Sequence, residues 1–273
     1  MFNQQKIKHA GGDIAIDLSD KSGFVEAVNG ISGDDIDVVL HSPGGSPEAT
    51  ESIVQILRSR FKNIRFIIPS VAKSAATMLA MSGNEIILGK DAEMGPTDPQ
   101  MNRAGHLNPA HAILRQFDEA KREIGGNSDN LPAWLPILEQ YGPSLLVQCK
   151  DAQNLTKTLV KDWVFKYMFN ADARKKRKAA TIAAFLCNKN HLSHGRAIPI
   201  EELKKRGVLI KRADEYTPDL SEAIKDIDYA TLQTFALTGA YKMFENHLGK
   251  GLYKVLQQAS IQLPIQIPQP VKK

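Results

Sequence analysis

Short apolar runs recur along the first hundred residues, with longer amphipathic segments between the later ones. The run "DVVLHS" (37–42) is typical of a buried parallel strand, and "DIAIDL" (13–18) alternates like a half-buried strand. The runs "IRFII" (64–68) and "EIILG" (85–89) also predict strands. Strands that alternate with helices in this way predict parallel pairing and right-handed crossovers.

Two helices are predicted between these strands. The segment "SPEATESIVQILRSRF" (46–61) starts with Ser46 as a helix N-cap and Pro47 at the first helical position. Its apolar residues recur at helical spacing: Ala49, Ile53, Val54, Leu57 and Phe61. A second helix of small residues is predicted over 74–82, where Gly83 and Asn84 end it.

The pattern changes after residue 100 and becomes mostly helical. A helix is predicted within "NPAHAILRQFDEAKREIGG" (108–126), closed by its two glycines. Helical spacing continues over 131–170, interrupted at "YGPS", and again over 173–188. One or two further helices are expected over 221–253.

We therefore expect an α/β domain over residues 1–215 and a C-terminal helical extension over 216–260. The tail 261–273 contains "IQLPIQIPQPVKK" and is expected to be extended and disordered because of its prolines and terminal lysines.

Composition adds few constraints. The chain has 273 residues, of which 42% are hydrophobic and 24% charged, as in ordinary soluble globular proteins. No apolar run approaches the roughly 18 residues that span a bilayer, and the amino terminus lacks the apolar stretch of a signal peptide. A cytoplasmic protein without a membrane segment is therefore expected.

Cysteine content and charge exclude further classes. Cys149 and Cys187 are too few for a disulfide framework or a zinc cluster, and both are expected to be buried thiols. No metal or cofactor is expected. The net charge is +5, and the basic run "ARKKRK" (173–178) has no interleaved aromatic residues, so it favours a solvated helix face and nucleic acid is not expected as a partner.

Two loops carry the candidate chemistry. Loops that follow parallel strands open on one edge of the sheet, where ligands bind. Here these loops are "HSPGGSP" and "PSVAKSAAT". Consecutive glycines let backbone amides approach a ligand, and Ser74 stands at a predicted helix start. A nucleophilic serine facing such amides would have an oxyanion hole. The same residues also fit a plain helix cap and a tight turn.

The residues of these loops resemble the serine dehydrogenase proteinase family, which is related to signal peptide peptidase A and the Clp proteolytic subunit. The resemblance rests on "LHSPGGSPEAT" (40–50), "PSVAKSAATMLAMSGNEIILGK" (69–90) and "MGPTDPQ" (94–100), in matching order and spacing. The segment "SHGRAIPIEELKKRGV" (193–208) resembles the part that closes the same domain. The likeness covers roughly residues 10–210.

The resemblance implies a Clp/crotonase-like fold of repeated β-β-α units, with added C-terminal helices, and serine endopeptidase activity on polypeptides. It places Ser74 at the nucleophile position. It places Gly44, Gly45 and the amide of Ala75 where relatives form the oxyanion hole. Relatives of this fold assemble into rings or stacks, so a homo-oligomer is expected.

The chain departs from these relatives beside the nucleophile. The Clp subunit has a histidine about 25 residues after its serine, whereas "GPTDPQ" here has Thr97 and Asp98, so a Ser-His-Asp triad of the Clp kind is not expected. Family members commonly show Ala-Met-Ser-Ala-Gly-Thr, and this chain has Lys73 and Ala76 instead. Lys73, Thr97 and Asp98 are expected to line the site.

The identity of the base stays open. Signal peptide peptidases use a lysine, and Lys121 lies on the first helix after "GPTDPQ". Such a base must be buried, because burial lowers the pKa of a lysine far enough for it to be neutral. Lys73 is adjacent to Ser74 in a helical segment and is poorly oriented to contact it. Asp98 has two candidate roles, accepting a hydrogen bond from the base or capping the turn before Pro99.

The histidines and two other functions complete the alternatives. His106 and His111 read as ordinary loop or helix residues, and His191 and His194 form no metal-binding pattern. A weaker hypothesis has His194 orient either the loop at the site or a neighbouring subunit. A crotonase-like acyl-CoA enzyme would also use backbone amides but would not need Ser74. A non-catalytic oligomeric scaffold of the same fold is the remaining alternative.

Overall fold

The computed structural model describes residues 14–103, 105–188, 191 and 193–256. The predicted proline-rich tail, 261–273, lies outside the described residues.

Four parallel strands form the central sheet, in the order β1, β2, β4, β8. They are β1 (Asp35–Val39), β2 (Asn63–Ile68), β4 (Glu85–Leu88) and β8 (Ile210–Arg212). The predicted α/β class with parallel pairing is confirmed. β1 lies at an edge and its residues are exposed or half-buried, so the expectation that its run is buried is wrong.

Shorter strands follow the central ones along the chain. They are β3 (Val71–Ala72), β5 (Glu93–Met94), β6 (Gln100–Arg103) and β7 (His106–Pro109). β3 and β5 pair in parallel, while β6 and β7 form an antiparallel hairpin that the sequence did not predict. Because β2 is followed by β3 and then by a helix, the chain shows the β-β-α unit that was expected.

The helices follow the predicted ones up to residue 237, except for two that were not predicted. The helices are α1 (Lys21–Val28), α2 (Pro47–Arg60), α3 (Ala75–Met81), α4 (Ala110–Gly126), α5 (Leu131–Leu138), α6 (Leu145–Trp163), α7 (Lys176–Leu186), α8 (Ile200–Arg206) and α9 (Pro218–Leu237). The two that were not predicted are α1 and α8. At the start of α2, Ser46 Oγ accepts a hydrogen bond from the Ala49 amide at 3.1 Å, which confirms the predicted cap.

The core surrounds α3. Every residue of this helix is buried, which explains why its sequence is apolar on all sides and rich in small residues. It packs against α2 and α6. The five apolar residues predicted for the inner face of 46–61 are all buried: Ala49, Ile53, Val54, Leu57 and Phe61. The start of α3 is therefore held from several sides.

A strand was predicted over 13–18, and the described part of this segment, 14–18, does not form it. Ile16 makes only an isolated bridge with Gly45, and Leu18–Asp20 form a 3-10 helix. The Asp17 carboxylate caps that turn by accepting a hydrogen bond from the Ser19 amide at 2.7 Å. Local capping therefore ends the extended conformation after Ile16.

The C-terminal part also differs from the prediction. α9 ends at Leu237, and an antiparallel hairpin of β9 (Ala240–Glu245) and β10 (Gly251–Val255) replaces the second expected helix. The hairpin packs against α1, where Phe244 contacts Phe24 edge-on. Gly23 permits this contact, because a Cβ there would lie 2.4 Å from the Phe244 ring.

A buried lysine fastens this hairpin to the amino-terminal region. Lys242 Nζ donates to Asp20 at 3.0 Å and to Asp17 at 2.9 Å, and Lys254 also contacts Asp20. Burial on its own would raise the pKa of Asp17, but hydrogen bonds from Ser19 and Lys242 outweigh it and hold that pKa well below its usual range. Ion pairs thus join the C-terminal hairpin to the region around Asp17 and Asp20.

Among the described residues, no helix combines the length and the apolar character needed to cross a bilayer.

The Lys242 cluster gives a stability prediction. Lys242→Met should lower the free energy of unfolding by about 1–3 kcal/mol, because it leaves the buried Asp20 carboxylate with fewer donors. Urea unfolding measures this, with the exposed Lys250→Met as control. Since a lowered carboxyl pKa stabilises the fold above the unfolded value near 3.8, the deficit should shrink as the pH falls below about 4. An unchanged urea midpoint in Lys242→Met would contradict a stabilising role for the Lys242 ion pairs.

Candidate active site

Ser74 lies in the turn between β3 and α3. Its backbone has φ 53° and ψ −122°, a conformation that residues with a side chain rarely adopt. Ser74 precedes α3, yet its side chain makes no capping hydrogen bond. Within the described part of the chain its hydroxyl has no hydrogen-bond partner. The simple reading of Ser74 as a helix cap is therefore not supported, and a strained turn that presents a hydroxyl fits better.

The glycine loop lies directly against this turn. Gly44 has φ 103°, and a Cβ on it would stand 2.6 Å from Ser74 Cβ and 2.5 Å from the Lys73 carbonyl oxygen. Only a residue without a side chain permits this approach. The structure thus brings together the two loops that the sequence selected.

The three expected oxyanion-hole amides are not equivalent. The Gly44 amide already donates to Ser42 Oγ at 3.1 Å, so it is committed within the loop. By contrast, the amides of Gly45 and Ala75 donate to no acceptor among the described residues. The Ala75 nitrogen also lies beside Gly44, 3.0 Å from the position that a Cβ on Gly44 would occupy. Gly45 and Ala75 are therefore the available donors. The role of Gly44 is that, without a side chain, it lets the two loops approach each other.

A layer of short extended segments carries the site. This layer, which we call the short-strand layer, consists of residues 42–45, 71–74, 93–98 and 194–198. Bridges join Ser42 to Ala72, and Met94 to Ile198. The Ser74 amide donates to the Pro96 carbonyl at 3.2 Å.

Lys73 does not face a substrate group in this arrangement. Its ammonium donates to the Gly195 carbonyl at 2.9 Å and lies 3.2 Å from a Glu93 carboxylate oxygen. It therefore ties the 194–198 segment to the turn that holds Ser74.

Asp98 is the centre of a buried polar cluster beside this turn. Only 3% of the residue is exposed. Its carboxylate accepts from Gln100 and meets His194 Nδ1, both at 2.9 Å, and lies 3.8 Å from His111 Nδ1. The neighbouring Thr97 is buried as well, and its hydroxyl has no hydrogen-bond partner within the described residues. Sequence reasoning expected Thr97 and Asp98 here and offered His194 only as a weak candidate to orient the loop, without its contact to Asp98.

Lys121 lies on α4, and its side chain is exposed. The burial that a neutral lysine base requires is therefore not present in the chain as described. His106 is exposed on β7. Neither residue takes part in the Asp98 cluster.

Metal chemistry and reactive thiols have no basis in the described residues. No three histidine, cysteine, aspartate or glutamate side chains among them form a group that could hold a metal ion. Cys149 and Cys187 are free and buried, as predicted. Burial raises the pKa of Cys187 to about 11, which makes it a poor nucleophile at neutral pH.

The chain is similar to several known proteins. A family model described as ClpP-like SDH-type serine proteinase matches residues 4–131. Two uncharacterized proteins of Methanocaldococcus jannaschii are similar. MJ0137 is 26% identical over 194 residues, which is 71% of this chain and 59% of that protein. MJ1495 is 38% identical over 82 residues, which is 30% of this chain and 27% of that protein. The chain thus spans less than two thirds of either relative.

Two solved structures are similar at a low level, with 17% identity in each case. One is a serine-to-alanine mutant of a 1510-N membrane-bound stomatin-specific protease, with a TM-score of 0.43 over 89% of this chain and 87% of that one. The other is a lysine-to-alanine mutant of it in complex with a substrate peptide, with a TM-score of 0.44 over 89% and 83%. A likeness this distant leaves the site to be judged from the chain's own geometry.

The Gly44 contact gives a second prediction. Gly44→Ala should abolish the reactivity of Ser74 and lower the melting temperature, because the new methyl group collides with backbone on the other loop. Gly33→Ala is the matched control, since Gly33 also has a positive φ but nothing lies within 4 Å of its Cβ position. It should show only the strain of about 1–2 kcal/mol that a positive φ imposes. Equal effects in both variants would contradict the close approach.

Proposed function

We propose that the protein is a serine endopeptidase with Ser74 as its nucleophile, on the premise that residues 4–131 match the model of the ClpP-like SDH-type serine proteinases. The observation that carries the proposal is the strained Ser74 turn packed against Gly44, with the Gly45 and Ala75 amides unoccupied beside it. A family match alone would not distinguish an active enzyme from a relative that has lost its chemistry.

The reaction follows from this geometry. Ser74 Oγ attacks the carbonyl carbon of the scissile peptide bond, and the electron pair of the carbonyl moves onto its oxygen. The amides of Gly45 and Ala75 donate hydrogen bonds to that oxygen. Removing one such donor typically lowers the rate by about 100- to 1000-fold. The carbon–nitrogen bond then breaks, the amine leaves, and water hydrolyses the acyl-enzyme.

The Ser-Lys type is the finer hypothesis, and Lys121 is its candidate base. Because the Lys121 side chain is exposed, this hypothesis requires a second subunit or a substrate to cover α4 and remove water from the ammonium. Lys73 offers no replacement, since Glu93 and the Gly195 carbonyl hold its ammonium.

The two alternatives fit the site less well. A crotonase-like acyl-CoA enzyme needs paired amides but no serine, so it gives no reason for a strained Ser74 with an uncapped hydroxyl. A non-catalytic scaffold likewise has no use for a conformation that costs on the order of 1–3 kcal/mol. Activity in the cytoplasm and the absence of a nucleic-acid partner stay predictions.

Self-association is the second part of the proposal. α5 buries none of its residues, although its sequence "LPAWLPIL" is almost wholly apolar. Leu131 and Leu135 are 43% and 46% exposed. An apolar helix without cover favours contact with another copy, and we propose a homo-oligomer that limits access to extended or unfolded chains.

Labelling with a fluorophosphonate probe tests the catalytic part. The probe should modify Ser74 alone, as shown by peptide mapping, because an activated hydroxyl displaces fluoride from phosphorus. Ser74→Ala should abolish labelling and lower hydrolysis of fluorescent casein by at least about 1000-fold. Ser70→Ala is the control, since the Ser70 hydroxyl donates to Asp228. A folded protein that stays unlabelled between pH 7 and 10 would refute the proposal and favour the scaffold.

Sedimentation velocity tests the oligomer. The wild-type protein should sediment as a multimer, and Leu135→Asp should shift it towards the monomer because a carboxylate on α5 would be desolvated at the contact. Val25→Asp is the matched control, because Val25 is similarly exposed, at 53%, but lies on α1. A monomeric wild-type protein would contradict self-association.

A further inference from the structure

We propose, on the basis of the proposed peptidase function, that His194 accepts the proton of Ser74 and that Asp98 is the positioning residue that orients it. This assignment differs from the Ser-Lys hypothesis. It also differs from the expectation from the sequence, because this chain has no histidine at the position that the Clp subunit uses. It rests on how the short-strand layer brings distant segments into register.

Backbone contacts place Ser74 next to the segment that holds Asp98. β3 and β5 pair in parallel, with Ala72 opposite Met94. Beyond this pairing, the Ser74 amide donates to the Pro96 carbonyl at 3.2 Å, so the turn that holds Ser74 lies directly against residue 96. Asp98 follows two residues later along the chain.

The next segment brings His194 to Asp98. Met94 bridges Ile198 in antiparallel fashion, and the Ile198 amide donates to the Met94 carbonyl at 2.8 Å. Four residues before Ile198, His194 contacts the Asp98 carboxylate through Nδ1 at 2.9 Å. The imidazole therefore lies beside the segment that packs against the Ser74 turn.

A second tie holds His194 near Ser74 from the other direction. Lys73, the residue before Ser74, donates to the carbonyl of Gly195, the residue after His194, at 2.9 Å. Contacts on both sides therefore restrict the position of the imidazole relative to the serine.

The protonation chemistry of the ring fits the role. With Nδ1 directed at the Asp98 carboxylate, the proton resides on Nδ1 and leaves Nε2 as the acceptor. The ring is 27% exposed, and in the proposed step Nε2 meets the Ser74 hydroxyl directly or through one water. His111 is the weaker candidate, because its Nδ1 lies 3.8 Å from Asp98, beyond hydrogen-bond range, and its side chain is only 16% exposed.

The step balances without a further reactant. As Ser74 Oγ forms its bond to the carbonyl carbon, its proton passes to Nε2 of His194. When the carbon–nitrogen bond breaks, the imidazolium returns that proton to the leaving amine. The same residue then takes a proton from the water that hydrolyses the ester.

The test measures the rate at which a fluorophosphonate modifies Ser74, which needs no knowledge of the natural substrate. His194→Gln should lower this rate by about 100- to 10,000-fold, because Gln can still donate to Asp98 but cannot take the proton. His194→Ala should lower the labelling rate to the same extent. Added imidazole should then raise that rate by at least about tenfold, a rescue that a purely structural role would not give. His106→Gln is the control and should stay within about threefold of the wild type, because His106 is exposed on β7 and lies outside the Asp98 cluster.

Asp98 is tested through its dependence on His194. Asp98→Asn should slow labelling about tenfold in the wild-type background and have no further effect in His194→Gln, because residues that act as one unit are not additive. An additive loss would assign Asp98 a role separate from His194.

The outcomes separate this inference from the proposed function. If wild-type Ser74 is labelled and His194→Gln reacts at the same rate, the inference fails while the peptidase proposal stands. Loss of labelling in Lys121→Met with retention in His194→Gln would establish the Ser-Lys type instead. If wild-type Ser74 is never labelled, the proposed function itself fails.

Discussion

The approach of Gly44 to Ser74 is the contact on which the site depends. The Gly44 loop and the Ser74 turn lie so close together that there is no room for a Cβ on Gly44. Ser74 has a positive φ in this arrangement. Such strain persists only where surrounding structure holds it. Here the support is α3, whose residues are all buried, and the hydrogen bond from the Ser74 amide to Pro96. The rigid core thus keeps a hydroxyl and two amides in place.

The short-strand layer distributes the chemistry over segments far apart in the chain. Residues 42–45 bring the Gly45 amide, 71–74 the serine with the Ala75 amide directly after it, 93–98 the Asp98 carboxylate and 194–198 the His194 imidazole. Each segment follows or accompanies a central strand, so the parallel sheet fixes their order. Lys73 adds a tie across the layer through the Gly195 carbonyl. An unusual residue beside the nucleophile therefore has a structural role, independent of any contact with substrate.

The sequence was informative wherever local rules decide structure. Ser46 and Pro47 set the start of α2, and the spacing of Ala49, Ile53 and Leu57 fixed its buried face. Local patterning failed where distant groups compete. The segment 13–18 alternates like a strand, but Asp17 caps a 3-10 turn and then pairs with Lys242, more than 220 residues away along the chain. The hairpin of β9 and β10 likewise replaces a helix where it can pack on α1.

For the site itself, the sequence alone selected Ser74 and the glycine loop as candidates, because a hydroxyl at a strand-to-helix turn and consecutive glycines are local features with a direct chemical meaning. Only the tertiary structure decided that Ser42 occupies the Gly44 amide and that Lys121 is exposed. It alone brought His194 to Asp98, across 96 residues of sequence. The physical reason is that hydrogen-bond partners and burial depend on strand register, which is fixed by the pairing of segments and cannot be read from either segment separately.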